Sequence, residues 1–198
     1  MQNKIPENAY IELLDNHNIG LAGAFSVNPS SCTNEGFYCQ YLQYNAMFDM
    51  KVGNAVTHVF IDKDADRVMG YISLRTNSIV SKRDNNSLAG KPALEISVLA
   101  VDKDYEHCGV GTVLMSKALE VAATLHSTYA GVKYLILEAD TKAVGFYEKM
   151  GFRHLFSEWE QIPTEEFSGE GVPMSRELLF ELEHLERFYG DLDDEDDS

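Results

Sequence analysis

Apolar positions along this 198-residue chain recur with two different periods, and the alternation of those periods predicts a mixed α/β fold. Two β-branched runs, Ala55 to Ile61 and Val68 to Leu74, flank the polar stretch Asp62 to Asp66, which is the pattern of an antiparallel hairpin. Ala93 to Val101 and Lys133 to Ala139 read as further buried strands. Between them, Val110 to Leu125 places Leu114, Ala118, Leu119, Ala122 and Leu125 at helical spacing, which predicts an amphipathic helix linked onward by Ser127 to Gly131. Upstream, Ala9 to Leu14 predicts a short helix, and Gly36 to Met50, with Phe37, Tyr41, Tyr44 and Phe48, a longer one. The polar run Ser81 to Pro92 reads as a mobile loop beside a substrate site. Downstream of Phe156 the pattern weakens: Ser157 to Gly171 is acidic and loop-like, and Pro173 to Tyr189 fits either a last strand starting near Met174 or a helix through Leu182, Leu185 and Phe188.

Two turns carry chemistry. Val98 to Asp102 ends a strand, and Glu106-His107-Cys108-Gly109-Val110-Gly111-Thr112 then opens the helix. Glycines at that junction let the backbone turn tightly, and the first helical N–H groups are left free to meet an anion such as a diphosphate. The second segment, Ala143-Val144-Gly145-Phe146-Tyr147-Glu148-Lys149-Met150-Gly151-Phe152, predicts a short helix stopped by Gly151, with Phe152 starting another strand.

In order, spacing and strand context this pair of segments resembles the GNAT superfamily of acetyl-CoA-dependent N-acetyltransferases, and in detail its toxin-like branch. The first segment is similar to the superfamily's Gln/Arg-x-x-Gly-x-Gly/Ala loop and the second to its Ala-x-x-Phe-Tyr-x-x-x-Gly-Phe segment, over roughly Gly53 to Phe156. The resemblance implies a mostly antiparallel central sheet, splayed where the cofactor binds, with helices on both faces. It implies acetyl-CoA as cosubstrate. The backbone of Leu99 and Val101 would pair with the pantetheine arm, and His107, Gly109, Val110, Gly111 and Thr112 would hold the diphosphate. Ala100, Cys108, Asp140, Ala143, Phe146, Tyr147 and Lys149 complete the implied cofactor contacts. Glu106 departs from the superfamily pattern, because a carboxylate there repels a diphosphate unless it turns outward or is paired by a cation.

Tyr147 is the expected general acid, since a phenol with an ordinary pKa near 10 is protonated at neutral pH and can give its proton to a departing thiolate. The base is less sharply marked. Glu95 in the central strand is the first candidate, Asp140 and Glu138 are further ones, and a water relay would need no side chain at all. His58, His126 and His184 stand apart in sequence and read as structural.

Composition narrows the partners. The formal net charge is −16, yet residues 158 to 198 hold 15 acidic and two basic side chains, leaving 17 acidic and 14 basic upstream. The catalytic part is therefore near neutral. A single domain over residues 1–189, with its core at about 53–156, is expected, followed by a solvated acidic tail over 190–198 that contains Asp191 to Asp197. No run of eighteen apolar residues and no apolar leader is present, so a soluble cytoplasmic protein without membrane contact is expected. Cys32, Cys39 and Cys108 lack metal-ligand spacing and read as reduced thiols, and no metal is expected.

The leading functional expectation is acetyl transfer to a primary amine of a small molecule or protein. A toxin-like enzyme acting on aminoacyl-tRNA is the alternative and would need Lys82, Arg83, Lys91, Lys117 and Lys142 to converge on one face. A non-catalytic acetyl-CoA-binding module is the third reading. A homodimer is left open.

Overall fold

A computed structural model describes residues 4–82, 87–155 and 171–178. Seven strands form one sheet: β1 (Ala9–Leu13), β2 (Val56–Asp62), β3 (Arg67–Lys82), β4 (Leu88–Val101), β5 (Tyr134–Ala139), β6 (Arg153–His154) and β7 (Val172–Glu177). Their spatial order is β1-β2-β3-β4-β5-β7-β6, and every adjacent pair is antiparallel except β4 with β5. Helices α1 (Glu35–Gln40) and α2 (Ala46–Val52) cover one face, α3 (Val110–Thr124) covers the other, and α4 (Val144–Lys149) follows β5. The mixed α/β architecture is thus what the apolar periodicity predicts, and the helices on both faces are what the family resemblance implies.

Two cores lie back to back across the sheet. Beneath α3, Leu114, Met115, Ala118 and Ala122 pack on Met69, Ile72, Leu94 and Leu135. Beneath α1 and α2, Leu42 and Ala46 pack on Val59, Ile61, Tyr71 and Val98. The approach of α3 depends on Gly70, where an added Cβ would lie 2.9 Å from the Ala100 carbonyl oxygen and from Val110 Cγ1, and 3.0 Å from Leu114 Cδ1. Leu119 and Leu125, expected on the inward face, are only half-buried at its margin.

Local signals set most boundaries. Asn34 caps α1 by accepting the Phe37 N–H at 3.0 Å, and Gly53, at φ +79, ends α2 in the left-handed conformation. The β2–β3 turn is tied by the buried Asp62 carboxylate, which accepts from the Asp64 and Ala65 N–H groups and from the Tyr105 hydroxyl.

Three expectations need correction, and one alternative is resolved. Ala9 to Leu14 is not a helix; Ala9–Leu13 is edge strand β1, paired from Ala9↔Asp62 to Leu13↔His58. So short a segment gains little as an isolated helix, and ladder bonds to β2 outweigh that preference. Ser81 to Pro92 is not a loop throughout, because the β3–β4 ladder continues outward to Lys82↔Leu88. Its polarity reflects an arm with exposed faces rather than missing structure. The helix over Gly36 to Met50 exists but widens into a π turn at Tyr41–Asn45 and runs on to Val52. Of the two readings for Pro173 to Tyr189, the strand is present as Val172–Glu177. The helical alternative beyond Leu178, the acidic segment 156–170 and the tail Asp191 to Asp197 lie outside the described residues.

A methyl group at position 70 tests the close approach of α3. Gly70→Ala is expected to cost about 1–3 kcal/mol through overpacking against backbone. Gly36→Ala in α1, where the new Cβ meets only Asn34 Oδ1 at 3.7 Å, should be neutral or slightly stabilising. Urea unfolding of both variants measures the difference.

Candidate active site

The site originates in a register break. Leu74 pairs with Ile96 and Ser73 with Val98, so Ser97 bulges from β4 and its hydroxyl donates to the Ser73 carbonyl at 3.1 Å. Such a bulge bends its strand and turns the following side chains to the other face. Leu94 and Ile96 accordingly join the α3-side core, whereas Val98 and Ala100 join the α1-side core. At the same place β4 leaves β5: their pairing runs only from Ala93↔Tyr134 to Ile96↔Leu137.

Beyond that point the strands splay around a cavity of about 480 Å³. Its walls are Ile96 to Val101 of β4, Glu138 and Asp140 at the end of β5, Ala143, Phe146 and Tyr147, the segment Val27 to Asn34, and Phe37 and Tyr38 of α1. The Asp102 N–H bonds back to the Met69 carbonyl of β3 at 2.8 Å. Backbone direction alternates along a strand, so the N–H and C=O groups of Leu99 and Val101 point the opposite way, into the splay.

Next to the cavity, the loop after β4 turns through two left-handed residues, His107 at φ +60 and Gly109 at φ +93, into α3. The N-cap residue, Gly109, has no side chain to cap α3, so among the described residues its first-turn N–H groups have no side-chain cap. Gly111, already in the first turn of α3, serves packing: a Cβ there would meet the Phe146 ring at 3.2 Å and Val101 Cγ2 at 3.7 Å. Asp102 anchors the whole junction. Its fully buried carboxylate accepts from the Ser26 and Asp104 N–H groups at 2.9 and 3.0 Å and from Arg67 at 3.1 Å.

A strap formed by residues 28–34 crosses from one strand end to the other. At the β4 end, Asn28 Nδ2 donates to Glu106 Oε2 at 3.0 Å. At the β5 end, the Thr33 N–H and hydroxyl donate to Asp140 Oδ2 at 2.6 and 2.8 Å, while Lys142 Nζ donates to the Pro29 and Cys32 carbonyls at 3.0 and 2.8 Å. Burial raises the Asp140 pKa, but the Thr33 and Lys142 hydrogen bonds and the Lys142 charge outweigh it and hold the carboxyl below its ordinary value. Burial, then the Asp140 charge, push the Cys32 thiol up. The strap was missed by sequence reasoning, since its contacts span 78 to 113 residues. The one available signal is the turn-rich run Asn28-Pro29-Ser30-Ser31 just before the Asn34 cap.

Tyr147 sits at the centre. Its ring is 7 % exposed and packs edge-on against Phe146 and Phe152, at centroid distances of 5.1 and 5.8 Å. Its hydroxyl has no hydrogen-bond partner among the described residues. Burial, with smaller contributions from Tyr38 and Asp140, raises its pKa well above the ordinary phenol value. Tyr38 beside it is pushed to about 12, mainly by burial and then by Asp140.

The structure brings Leu99, Ala100, Val101, Asp140, Ala143, Phe146 and Tyr147 to this one cavity. His107, Cys108, Gly109, Val110, Gly111 and Thr112 form the adjoining turn, and Lys149 lies exposed on α4, outside the cavity. Glu106 is neither turned away nor paired by a cation: it lines the cavity and is held by the neutral amide of Asn28. Glu95 is not among the residues that line the cavity. Its carboxylate faces the α1 side and is taken up by Arg75, at 2.8 and 2.7 Å, and by Asn77.

The arrangement has counterparts among known proteins. Over 98 residues the chain is 29% identical to a glucosamine 6-phosphate N-acetyltransferase of Trypanosoma brucei brucei, covering 50% of this chain and 59% of that one. Two solved structures share the fold. A mutant of the toxin AtaT bound to the C-terminus of the antitoxin AtaR and acetyl-CoA superposes with a TM-score of 0.63 at 18% identity, over 93% of this chain and 99% of that one. AtaT complexed with acetyl-methionyl-tRNAfMet gives 0.65 at 17% identity, over 92% and 99%. The model of the acetyltransferase (GNAT) family matches residues 28–152, more than half of the sequence, and the chain belongs to that family.

Proposed function

We propose that the protein is an acetyl-CoA-dependent N-acetyltransferase acting on a primary amine. The observation that carries this reading is the buried Tyr147 hydroxyl, unpartnered among the described residues, in a cavity opened by the splay of β4 from β5. The chain's own groups fit the cosubstrate. Free backbone edges at Leu99 and Val101 can pair with the pantetheine amides as an added strand does, and the uncapped start of α3 offers N–H groups and a favourable helix dipole to the diphosphate. Bound there, acetyl-CoA supplies the thioester, and the C–N bond to the acceptor forms as the C–S bond breaks.

Tyr147 donates its hydroxyl proton to the departing thiolate sulfur, and its raised pKa keeps that proton in place throughout the neutral range. The buried Val98 and the half-buried Phe146 line the reacting centre with apolar surface. Glu95 is bound to Arg75, Asp140 to Thr33 and Glu138 to the Gly171 N–H, and we assign the amine proton to water in the cavity.

The tRNA reading is supported by the AtaT complex and opposed by electrostatics. Lys142 is engaged by carbonyls and Lys117 by Glu120, while Lys91 lies over the Tyr134 ring at 5.9 Å. Among the described residues these three cations sit on separate elements, and the side chains of Lys82 and Arg83 lie outside that set. We place the enzyme in the cytoplasm, where reduced thiols such as Cys32, Cys39 and Cys108 persist. No helix among the described residues is long and apolar enough to cross a membrane. The catalytic domain is assigned to residues 1–189, and 190–198 to an acidic extension without a catalytic role.

Two measurements test the reading. Acetyl-CoA should raise Tm by mass action. Thr112→Glu should weaken that rise while leaving the free protein as stable as before or slightly more so, because a carboxylate in the first turn favours the helix dipole but repels the diphosphate. Equal acetyl-CoA shifts in both proteins would remove the diphosphate from α3. Separately, Tyr147→Phe should lower kcat by roughly 10²-fold with little change in acetyl-CoA affinity. The wild-type pH–rate profile should show no alkaline loss from this group below pH 10.0, the ordinary phenol value.

A further inference from the structure

The cavity passes from one face of the sheet to the other, and charge marks its α1 side. Side chains alternate along β5, so Leu135, Leu137 and Ala139 belong to the α3-side core, whereas Tyr134, Ile136 and Glu138 face the α1 side. Asp140 follows on that side, bound to Thr33, and Glu106 reaches it through Asn28. Among the described residues, three carboxylates and no lysine, arginine or histidine line the cavity.

These carboxylates are not equivalent. Asp140 is occupied by Thr33 and by the Lys142 N–H, with the Lys142 charge close by. Glu138 is solvent-exposed and accepts only the Gly171 N–H, on Oε1 at 3.2 Å, which leaves its second oxygen without a partner among the described residues. A second and independent mark of a ligand lies in the same cavity: the Tyr147 hydroxyl, on a ring 7 % exposed, with no partner among the described residues.

Anion binding and carboxylates are thereby separated. Backbone N–H groups at the start of α3 suit the diphosphate of the cosubstrate, and the α1-side mouth repels any other anion. A reacting amine must shed its proton before it attacks, so it cannot keep the charge that Glu138 attracts. The attracted charge must belong to another group on the same acceptor.

Resting on the N-acetyltransferase reading, we propose that the acceptor is an amine carrying a second positive charge, and that Glu138 is the residue that selects it. A free diamine and a lysine beside an arginine in a peptide both present this chemistry. Acceptors with a phosphate next to the amine do not.

The test compares 1,4-diaminobutane, a Lys-Arg peptide, butylamine and glucosamine 6-phosphate as acceptors with acetyl-CoA, in the full chain and in Glu138→Gln. Binding of each acceptor in the presence of CoA is followed in parallel by Tm. The wild type should favour at least one dication over butylamine by roughly fivefold or more in kcat/KM, the size of a partly screened ion pair. In Glu138→Gln that preference should disappear through KM, with butylamine turnover and the acetyl-CoA shift unchanged. Whichever dication is preferred identifies the source.

Transfer without preference for a dication, or faster transfer to glucosamine 6-phosphate, would overturn the proposal and leave the N-acetyltransferase reading standing. A fall in kcat for every acceptor in Glu138→Gln would also overturn it, since that is the mark of a general base. Glu138-dependent binding of a dication without any transfer would support the selection and overturn the acetyltransferase reading. Absence of both would overturn the two together.

Discussion

One extra residue in one strand, Ser97 in β4, is the constraint on which the site depends. In unbroken register β4 would stay beside β5 as far as Val98, opposite Ala139, the last residue of β5. With it, pairing stops at Ile96↔Leu137, the strands diverge, and Leu99 and Val101 present to the cavity peptide groups that are unpaired among the described residues. Unsatisfied backbone of this kind is costly when buried and useful when a ligand completes it. The rest of the architecture holds the opening in place: Asp102 and Arg67 fix the end of β4, Gly70 lets α3 dock behind it, and the strap of residues 28–34 ties the two strand ends across the gap.

The division of labour in the site follows from charge. A family loop ordinarily carrying glutamine or arginine here carries Glu106, and the structure accommodates the carboxylate with a neutral amide while leaving anion binding to backbone N–H groups. Acidic side chains can then gather on the α1 side without opposing the cosubstrate directly. Tyr147 lies between these regions, in surroundings apolar enough to keep its proton bound.

Much of this was legible in the sequence because it is local. The helix over Val110 to Leu125, the strands around Asp62 to Asp66, the left-handed Gly109 and Gly151, and the Phe146-Tyr147 pair all follow from periodicity and turn chemistry. What was illegible is non-local. Ala9 to Leu13 became a strand only because β2 offered an edge, and the polar arm beyond Ile79 stays extended because its two strands pair with each other. Glu95 looked like a base until Arg75, twenty residues away, was found to hold it. No spacing in the chain announces that Thr33 meets Asp140. The Ser97 bulge left no trace either, since Ile96-Ser97-Val98 reads as ordinary strand.

Amide hydrogen exchange on the full chain with and without acetyl-CoA tests the central claim, that unpaired backbone at the splay and at the start of α3 forms the cosubstrate site. The account predicts that acetyl-CoA slows exchange at Leu99 and Val101 and at Gly111 and Thr112, while the amides of β2 and β3 exchange as before. Protection confined to other elements, with these four amides unchanged at saturating acetyl-CoA, would contradict it.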